Sequence, residues 1–367
     1  MAKGMILAAG QGTRVRPLTK DLPKPMVPIL GKPVMEYLIA QLARHGITEI
    51  MVNVAFLHHK IEQYFGDGSR WGVQIGFSYE GRRDHGDILP HPMGSAGGMK
   101  RVQDFGGFFD DTTLVLCADA LLDLDISAAL QEHHQKGAIA SVVAHNVPID
   151  DVQAYGIVVA NADGCIQSFQ EKPSPATAQS TLASTGIYIF EPAVIDLIPS
   201  GQTYDIGSQL FPQLVEKKLP FYVQDRPFNW IDIGRVSDYW HVLQRVLRGE
   251  IAQMPMPGRE IQPGIWVGLN TAVAWGQVKI TGPVYIGSGA RVEAGATITG
   301  PAWIGHGCHI RTGARVVRSI LFEYTRIPAD MIFVEMIMSP NYCVDRHGET
   351  YYRGDDTVPL RWGDARA

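Results

Sequence analysis

From the first residue to about 250, apolar runs of strand length alternate with stretches of helical periodicity. That alternation predicts an α/β fold, a mixed, mostly parallel Rossmann-like sheet with helices on both faces. Strands are expected at 5–9, 49–54, 73–79, 113–117 and 138–144. Between the first two, "VMEYLIAQLARHG" sets Met35, Leu38, Ile39 and Leu42 on one helical face and ends at Gly46, a residue suited to a C-cap. "YGIVVANADGCIQSFQEKP" (155–173) predicts a hairpin turning at Asp163-Gly164, and "TGIYIFE" (185–191) another strand. "SDYWHVLQRVLRG" (237–249) predicts a closing helix with Ser237 as N-cap.

The pattern then changes. "QMPMPGREIQPG" (253–264) is rich in proline and glycine and marks a boundary. Beyond it an apolar residue recurs every sixth position, at Ile280, Ile286, Val292, Ile298, Ile304, Ile310, Val316 and Phe322. "VGLNTA" at 267 and "VAWGQV" at 273 fit with a one-residue slip. A six-residue repeat buries its single apolar side chain only by stacking on its neighbours, which predicts a solenoid. Resemblance to hexapeptide-repeat proteins implies the left-handed parallel β-helix, with three hexads to a coil and so roughly three triangular coils. The expected division is therefore a domain over 1–250, a linker over 251–264, and a β-helix domain with a C-terminal tail over 265–367.

At 367 residues the chain exceeds the size at which single cores stop growing, in line with two domains. A net charge of −5 offers no basic surface for nucleic acid. Cys117, Cys165, Cys308 and Cys343 match neither zinc-ligand spacing nor a disulfide framework, which fits a reducing cytoplasm. No signal pattern precedes the first strand and no apolar run reaches the ~18 residues that span a bilayer, so no membrane partner is expected.

The chemistry concentrates in "ILAAGQGTRVRPLTKDLPKP" (6–25). Gly10 and Gly12, directly after a strand, let several backbone N–H groups converge on a phosphate, and Arg14 and Lys24 supply charge. Arg16 is either a third such cation or a solvated surface residue. Position 15 is Val, so this is no dinucleotide fingerprint, and no Gly-Lys-Ser/Thr follows to make a P-loop.

"LAAGQGTRVRPLT" with "PKPMVPILGKP" resembles the signature of the sugar-nucleotide pyrophosphorylases, the nucleotidyltransferases that join an NTP to a sugar 1-phosphate. The resemblance continues in order through "YFGDGSRWGVQIGFSYE", "MGSAGG", "LCADALLDLDI", "FQEKP", "TGIYIFEP" and "WIDIG" to the solenoid. It implies a nucleotidyltransferase domain in which Leu7, Ala8, Ala9, Gly10, Gly12 and Thr13 surround the nucleotide and Arg14 and Lys24 act on the phosphates. Elementary electrostatics points the same way. Each unpaired unit charge pair at 4 Å costs ~4 kcal/mol at an effective dielectric of 20, so a triphosphate beside a phosphomonoester requires fixed cations.

Asp119 follows the apolar strand "TLVLC", at the carboxyl end where crevices open in α/β sheets, and Asp232 stands at a similar strand end in "NWIDIG". The resemblance pairs these two around Mg²⁺, an ion that takes few protein oxygens when phosphates and water fill the rest. It also assigns Glu171 to sugar hydroxyls, Lys172 to the sugar phosphate, and Gly156 to close passage of the sugar. Ser184 stands where the family usually has Asn, and one hydroxyl cannot replace an amide's two-sided contact. Ala118 stands where Gly commonly precedes the metal aspartate. By resemblance to the family's base-reading loop, base recognition is expected from Glu80 and the backbone at Gly94, Ser95, Ala96 and Gly97; a carboxylate only accepts, which suits guanine, uracil or thymine.

Asp123 and Asp125 are expected as a helix-capping pair or a solvated loop, and the doublets His58-His59 and His133-His134 as surface residues. His306 and His309 lie on the solenoid, where hexapeptide acyltransferases use a histidine. "MGSAGG" is similar to the glycine loop of members acting on GTP and mannose 1-phosphate, while "FFDDTTLVLCADALLDLDI" and "VSDYWHVLQRVL" are closer to members acting on UTP and glucose 1-phosphate. The expected partners are therefore an NTP and a sugar 1-phosphate, with Mg²⁺ and a possible homo-oligomer. A non-catalytic nucleotide-sugar-sensing subunit is the rival reading from another class, and a bifunctional acyltransferase the third.

Overall fold

The strands of the first half are Lys3–Ala8 (β1), Glu49–Val54 (β2), Gln74–Tyr79 (β3), Thr113–Cys117 (β4), Ala120–Leu122 (β5) and Ala140–Asn146 (β6). Gly156–Ala160 (β7), Ile166–Glu171 (β8), Leu182–Phe190 (β9), Phe221–Asp225 (β10) and Trp230–Asp232 (β11) follow. They come from a computed structural model that describes residues 2–84, 87–251, 254–355 and 361–367. Two residues of the expected linker, 252 and 253, lie outside the described residues.

Nine of these strands form one mixed sheet. β1 lies between β2 and β4, parallel to both, and β3 extends the parallel half. Beyond β4 the order turns antiparallel: β9 pairs β4, β6 and β7, and the hairpin β7–β8 ends the sheet. The expected hairpin turn at Asp163-Gly164 is present, with Gly164 at φ +80°. Expected strands fall within two residues of the observed ones except the last, which begins at Leu182 rather than 185.

Successive residues of the central strands serve opposite faces, as a two-residue period requires. Ile6, Leu114, Leu116 and Val143 join the core under Val34–Arg44 (α1), whose Met35, Leu38, Ile39 and Leu42 are all at most 1 % exposed. Met5, Val115 and Val142 join the core on the other face with Ala96, Met99 and Val102 of Ser95–Gly106 (α3); His58–Phe65 (α2) and Ile126–Gln135 (α4) complete the named helices here. No helix among the described residues is long and apolar enough to cross a membrane.

His133 corrects the surface assignment of its doublet. It is fully buried, with Nδ1 2.8 Å from Ser141 Oγ and Nε2 3.1 Å from Glu191 Oε1. Its helix packs on β6, so i and i+1 face apart and only His134 reaches solvent. Burial holds the His133 pKa below its ordinary value, against the pull of Glu191. The unfolded chain therefore binds more protons below about pH 6.5, and stability should fall as pH drops from 7 to 5. Replacement of His133 by Gln should flatten that slope in urea unfolding; an unchanged slope would assign it to other groups.

Two compact units divide the chain without following its order. Met1–Gln11, Leu22–Met26 and Val34–Asp232 form the first; Gly12–Asp21, Val27–Pro33 and Ile233–Ala367 form the second. In the second, the helix Val236–Leu247 (α5) is capped at Arg235 with no side-chain bond. Ser237 thus lies within the first turn, its hydroxyl donating to Asp238, and is not the expected N-cap. Tyr239 of α5 is fully buried; its hydroxyl donates to Pro28 O at 2.5 Å and its ring lies 6.2 Å from Phe322.

The solenoid has three sheets of short parallel strands. One runs through Ile265–Val267, Val284–Ile286, Ala302–Ile304, Ile320–Leu321 and Met336–Met338, so four coils close, one more than expected. The extra coil escapes a strict six-residue count because the coils shorten. Val267, Ile286, Ile304, Leu321 and Met338 stack in register at steps of 19, 18, 17 and 17 residues. The dropped residue makes Leu321 point inward in place of the expected Phe322, which packs instead between Tyr239 and Trp303. Ile286, Val292, Ile298, Ile304, Ile310 and Val316 are buried as the repeat requires. Tyr342–Asp345 and Gly363–Asp364 close two of the sheets with antiparallel pairing.

Both solenoid histidines have structural contacts. His309 Nε2 lies 2.7 Å from Glu293 Oε1, and His306 meets the Tyr324 ring edge-on. Thr312, through its hydroxyl and N–H, and His309 hold the Glu293 carboxyl down at about 2.

Candidate active site

β4 delivers its last residue, Cys117, to the carboxyl edge of the sheet, where Ala118 N–H donates to Leu7 O at 3.1 Å. The chain turns through Asp119 into β5, and β5 pairs antiparallel with β11 so that Ala120 stands opposite Asp232. Residues opposed on antiparallel strands sit about 5 Å apart, which brings two aspartates remote in sequence to one place. Both line a cleft of about 300 Å³. Lys24 Nζ donates to Asp119 Oδ2, with the lysine side chain only 11 % exposed. Burial, and next the negative charge of Asp119 and Asp232, push the neighbouring Cys117 thiol far above its ordinary value, so it stays protonated.

Asp123 and Asp125 are both structural. Asp123 accepts from Asn229 N at 2.6 Å and Nδ2 at 2.7 Å, which fastens the entry to β11; Asp125 caps α4 through Ala128 N. The first of these is a clamp between strands, where a cap or a solvated loop was expected.

The hairpin β7–β8 forms another wall. Gly156 stands opposite Glu171, and both line the cleft with Lys172 and Ser184. A Cβ on Gly156 would lie 2.2 Å from the Phe169 ring, so any side chain there must displace that ring. Lys172 adopts φ +45°, a left-handed conformation uncommon for a side-chain-bearing residue, held by its N–H donating to Tyr155 O at 3.1 Å. Its ammonium lies 3.0 Å from Glu171 Oε1. Ser184 is 9 % exposed and its hydroxyl donates to Tyr188 Oη at 3.4 Å. Tyr155, Phe169, Tyr188 and Trp230 add an aromatic lining that sequence reasoning missed, because they are scattered over four segments.

At the entry to α3, each glycine answers a close approach. Gly94 has φ +74°, and a Cβ there would stand 2.5 Å from Tyr204 O; at Gly97 it would stand 2.8 Å from Gln202 O. Ala96 and Gly97 N–H both donate to Tyr204 O, at 3.0 and 2.8 Å. Ser95 lines the cleft, its hydroxyl donating to Asp205 Oδ2 and accepting from Ile206 N, each at 2.8 Å. Asp205 was also missed. Burial alone would raise its pKa, but donors from Ser208, Ser95 and Gly207 outweigh that and hold it below the usual carboxylate value. "YDIG", an aspartate opening a helical turn, was the available signal.

Leu7 lines the cleft; Ala8, Ala9 and Gly10 carry the chain onward, with open space around Gly10. Ala8 N–H is already engaged, donating to Asn53 Oδ1 at 2.8 Å. Glu80 is 2 % exposed, accepting from Asn53 Nδ2 at 2.5 Å and Met93 N at 3.0 Å. Gly12, Thr13 and Arg14 belong to the second unit. There Gly12, at φ +64°, caps the turn Thr13–Val15, Thr19 donates to Gly12 O at 2.7 Å, and Arg14 is exposed.

Among the described residues no cluster of three or more His, Cys, Asp or Glu side chains is arranged to hold a metal. Two carboxylates in one cleft are the donor set of an ion that keeps most of its ligands from substrate and water, which fits Mg²⁺.

The nucleotidyl transferase family model matches residues 3–249. The chain is 52% identical over 346 residues, 94% of its length and 89% of the relative's, to the UTP--glucose-1-phosphate uridylyltransferase of Synechocystis sp. (strain ATCC 27184 / PCC 6803 / Kazusa). It is 32% identical over 295 residues, 79% of its length and 76% of the relative's, to the mannose-1-phosphate guanylyltransferase of Mycobacterium tuberculosis. A solved structure of a putative glucose-1-phosphate thymidylyltransferase from Bacillus anthracis, in complex with a sucrose, matches at TM-score 0.56 and 24% identity, covering 71% of this chain and 98% of that one. That last likeness is one of fold. The sheet, the paired aspartates and the matched span lead to one conclusion: the chain belongs to the nucleotidyl transferase family.

Proposed function

We propose that this chain joins UTP to glucose 1-phosphate, giving UDP-glucose and pyrophosphate. The observation that carries the reaction class is the arrival of Asp119, Asp232, Glu171 and Lys172 in one cleft, with Lys24 held on Asp119. The 52% identity to a UTP--glucose-1-phosphate uridylyltransferase over nearly the whole chain favours that substrate pair. The 32% identity to a mannose-1-phosphate guanylyltransferase supports GTP and mannose 1-phosphate as the second reading.

An oxygen of the sugar phosphate attacks the α-phosphorus of the NTP. A new P–O bond forms there, the bond to the β-phosphate oxygen breaks, and its electron pair leaves with pyrophosphate. The attacking phosphate has a second pKa near ~6 and is already ionised at neutral pH, so no general base is needed. Asp119 and Asp232 would hold Mg²⁺, which supplies charge neutralisation on the phosphate oxygens when bound. Lys24 and Arg14 place fixed charge on the phosphates. Glu171 accepts from sugar hydroxyls, and Lys172 faces the sugar phosphate. With a single hydroxyl, Ser184 fixes the sugar less strictly than an amide. Four unpaired cysteines suit a reducing, cytoplasmic setting.

A panel of four NTPs against three sugar 1-phosphates, read as pyrophosphate release, tests this. The UTP and glucose 1-phosphate pair is expected to exceed every other in kcat/KM by at least about tenfold, since losing a matched set of polar contacts costs 1–3 kcal/mol. A preference for GTP with mannose 1-phosphate would install the second reading. No turnover with any pair would favour a sensing subunit.

A further inference from the structure

Outside the cleft lining, the ends of two strands and the Met93 segment of the first unit meet on two buried side chains. Asn53 is 2 % exposed at the carboxyl end of β2; its Oδ1 accepts from Ala8 N–H, and its Nδ2 donates to Glu80 Oε1. Glu80 Oε2 accepts from Met93 N–H, one residue before Gly94 and two before the cleft-lining Ser95. Gly98 of α3 closes over the pair: a Cβ there would lie 2.3 Å from Glu80 Oε1 and 3.0 Å from Asn53 Nδ2. Burial raises the Glu80 pKa, while the Met93 and Asn53 donors pull the other way.

We propose that Asn53 and Glu80 form a positioning strut that sets the spacing between the nucleotide loop at Ala8 and the Met93–Gly94 turn, so that Glu80 acts on base recognition through the backbone it holds and not by touching the base. The proposal rests on the reading of this cleft as a nucleotide site. Both Glu80 oxygens have protein donors, and the glycine at 98 leaves no room for a ligand on its helix side. The polarity is fixed at every joint: a backbone donor at each end, an acceptor and donor on Asn53, two acceptors on Glu80. A buried chain of this kind holds its geometry only when every member is satisfied.

That polarity supplies the test. Glu80→Gln must set a donor against a donor at either Asn53 or Met93, and Asn53→Asp sets carboxylate against carboxylate. Together, Asn53→Asp with Glu80→Gln restores every bond: Asp accepts from Ala8 N–H and from the Gln amide, whose oxygen accepts from Met93 N–H. The negative charge merely moves one side chain. Each single variant is expected to raise the KM for the NTP about tenfold, with the sugar-phosphate KM changed less than about twofold, as follows from losing one buried bond of ~1–2 kcal/mol. The double variant should return to within about threefold of the parent chain. Asn53→Asp should also recover as pH falls from 8 to 6, because one proton shared between the carboxylates recreates the donor.

Thermal unfolding is measured alongside. Where the singles fold poorly, the double variant alone decides: parent-like unfolding with a parent-like NTP KM supports the strut. Parent-like unfolding with an NTP KM still raised tenfold would overturn it and give the Glu80 charge a direct part in base contact. An unchanged NTP KM in well-folded single variants would also overturn it. Absence of turnover by the parent chain with every pair would instead remove the functional reading beneath it.

Discussion

Asp232→Asn is expected to lower kcat by about 10²–10³-fold at saturating substrates, the usual effect of removing one preorganised electrostatic partner of a reacting phosphate. Asp119 and Asp232 both line the cleft from the β5–β11 pairing, and a neutral amide at either place would leave one carboxylate for the proposed Mg²⁺. Apparent affinity for Mg²⁺ should weaken in parallel, and raising the Mg²⁺ concentration should recover part of the loss. The urea midpoint is measured alongside, so that a loss of fold is told apart from a loss of catalysis. Pyrophosphate release across a Mg²⁺ titration reads both quantities. A variant with parent-like kcat would remove Asp232 from the proposed metal site.

The second large effect is on folding. Gly94→Ala is expected to cost about 3 kcal/mol or more, because two penalties coincide. At φ +74° and ψ 165° the residue occupies a region that only glycine enters readily, and the added Cβ would stand 2.5 Å from a backbone oxygen that cannot swing away. Moving Tyr204 O would in turn loosen the bonds it accepts from Ala96 and Gly97. Urea unfolding checks the magnitude. A variant within 1 kcal/mol of the parent would show that the turn relaxes freely. Gly10→Ala is the control, since a Cβ at Gly10 meets nothing within 4 Å.

Much of the architecture was legible in the sequence because its signals are local. The apolar runs of β1 and β4, the helical face of α1 and the hexads from Ile286 to Val316 each specify their own burial. Failures came where distant partners decide. Phe322 followed the count of six, but its coil is one residue short and Leu321 takes the interior. His133 looked like an exposed helix residue until Ser141 and Glu191 closed around it. In the cleft, Asp119 and Asp232 could be paired only through resemblance, since nothing local in "LCADA" or "NWIDIG" says that β5 and β11 adjoin. The aromatic wall had no chemical label at all, and Asp205 showed only as the aspartate opening a helical turn in "YDIG". Glu80 was visible as a carboxylate, but its partners Asn53 and Met93 were not.

The grouping of Gly12–Asp21 and Val27–Pro33 with Ile233–Ala367 bears on how the chain can be shortened. Lys20 rests its ammonium 5.3 Å over the Tyr352 ring, and Tyr239 reaches both Pro28 and Phe322. Stopping the chain at residue 250, just past the last helix of the family match, would strip Tyr352 and Phe322 from beneath the segment that bears Arg14. The solenoid is in that sense a foundation for an arginine far upstream, and no detachable appendage.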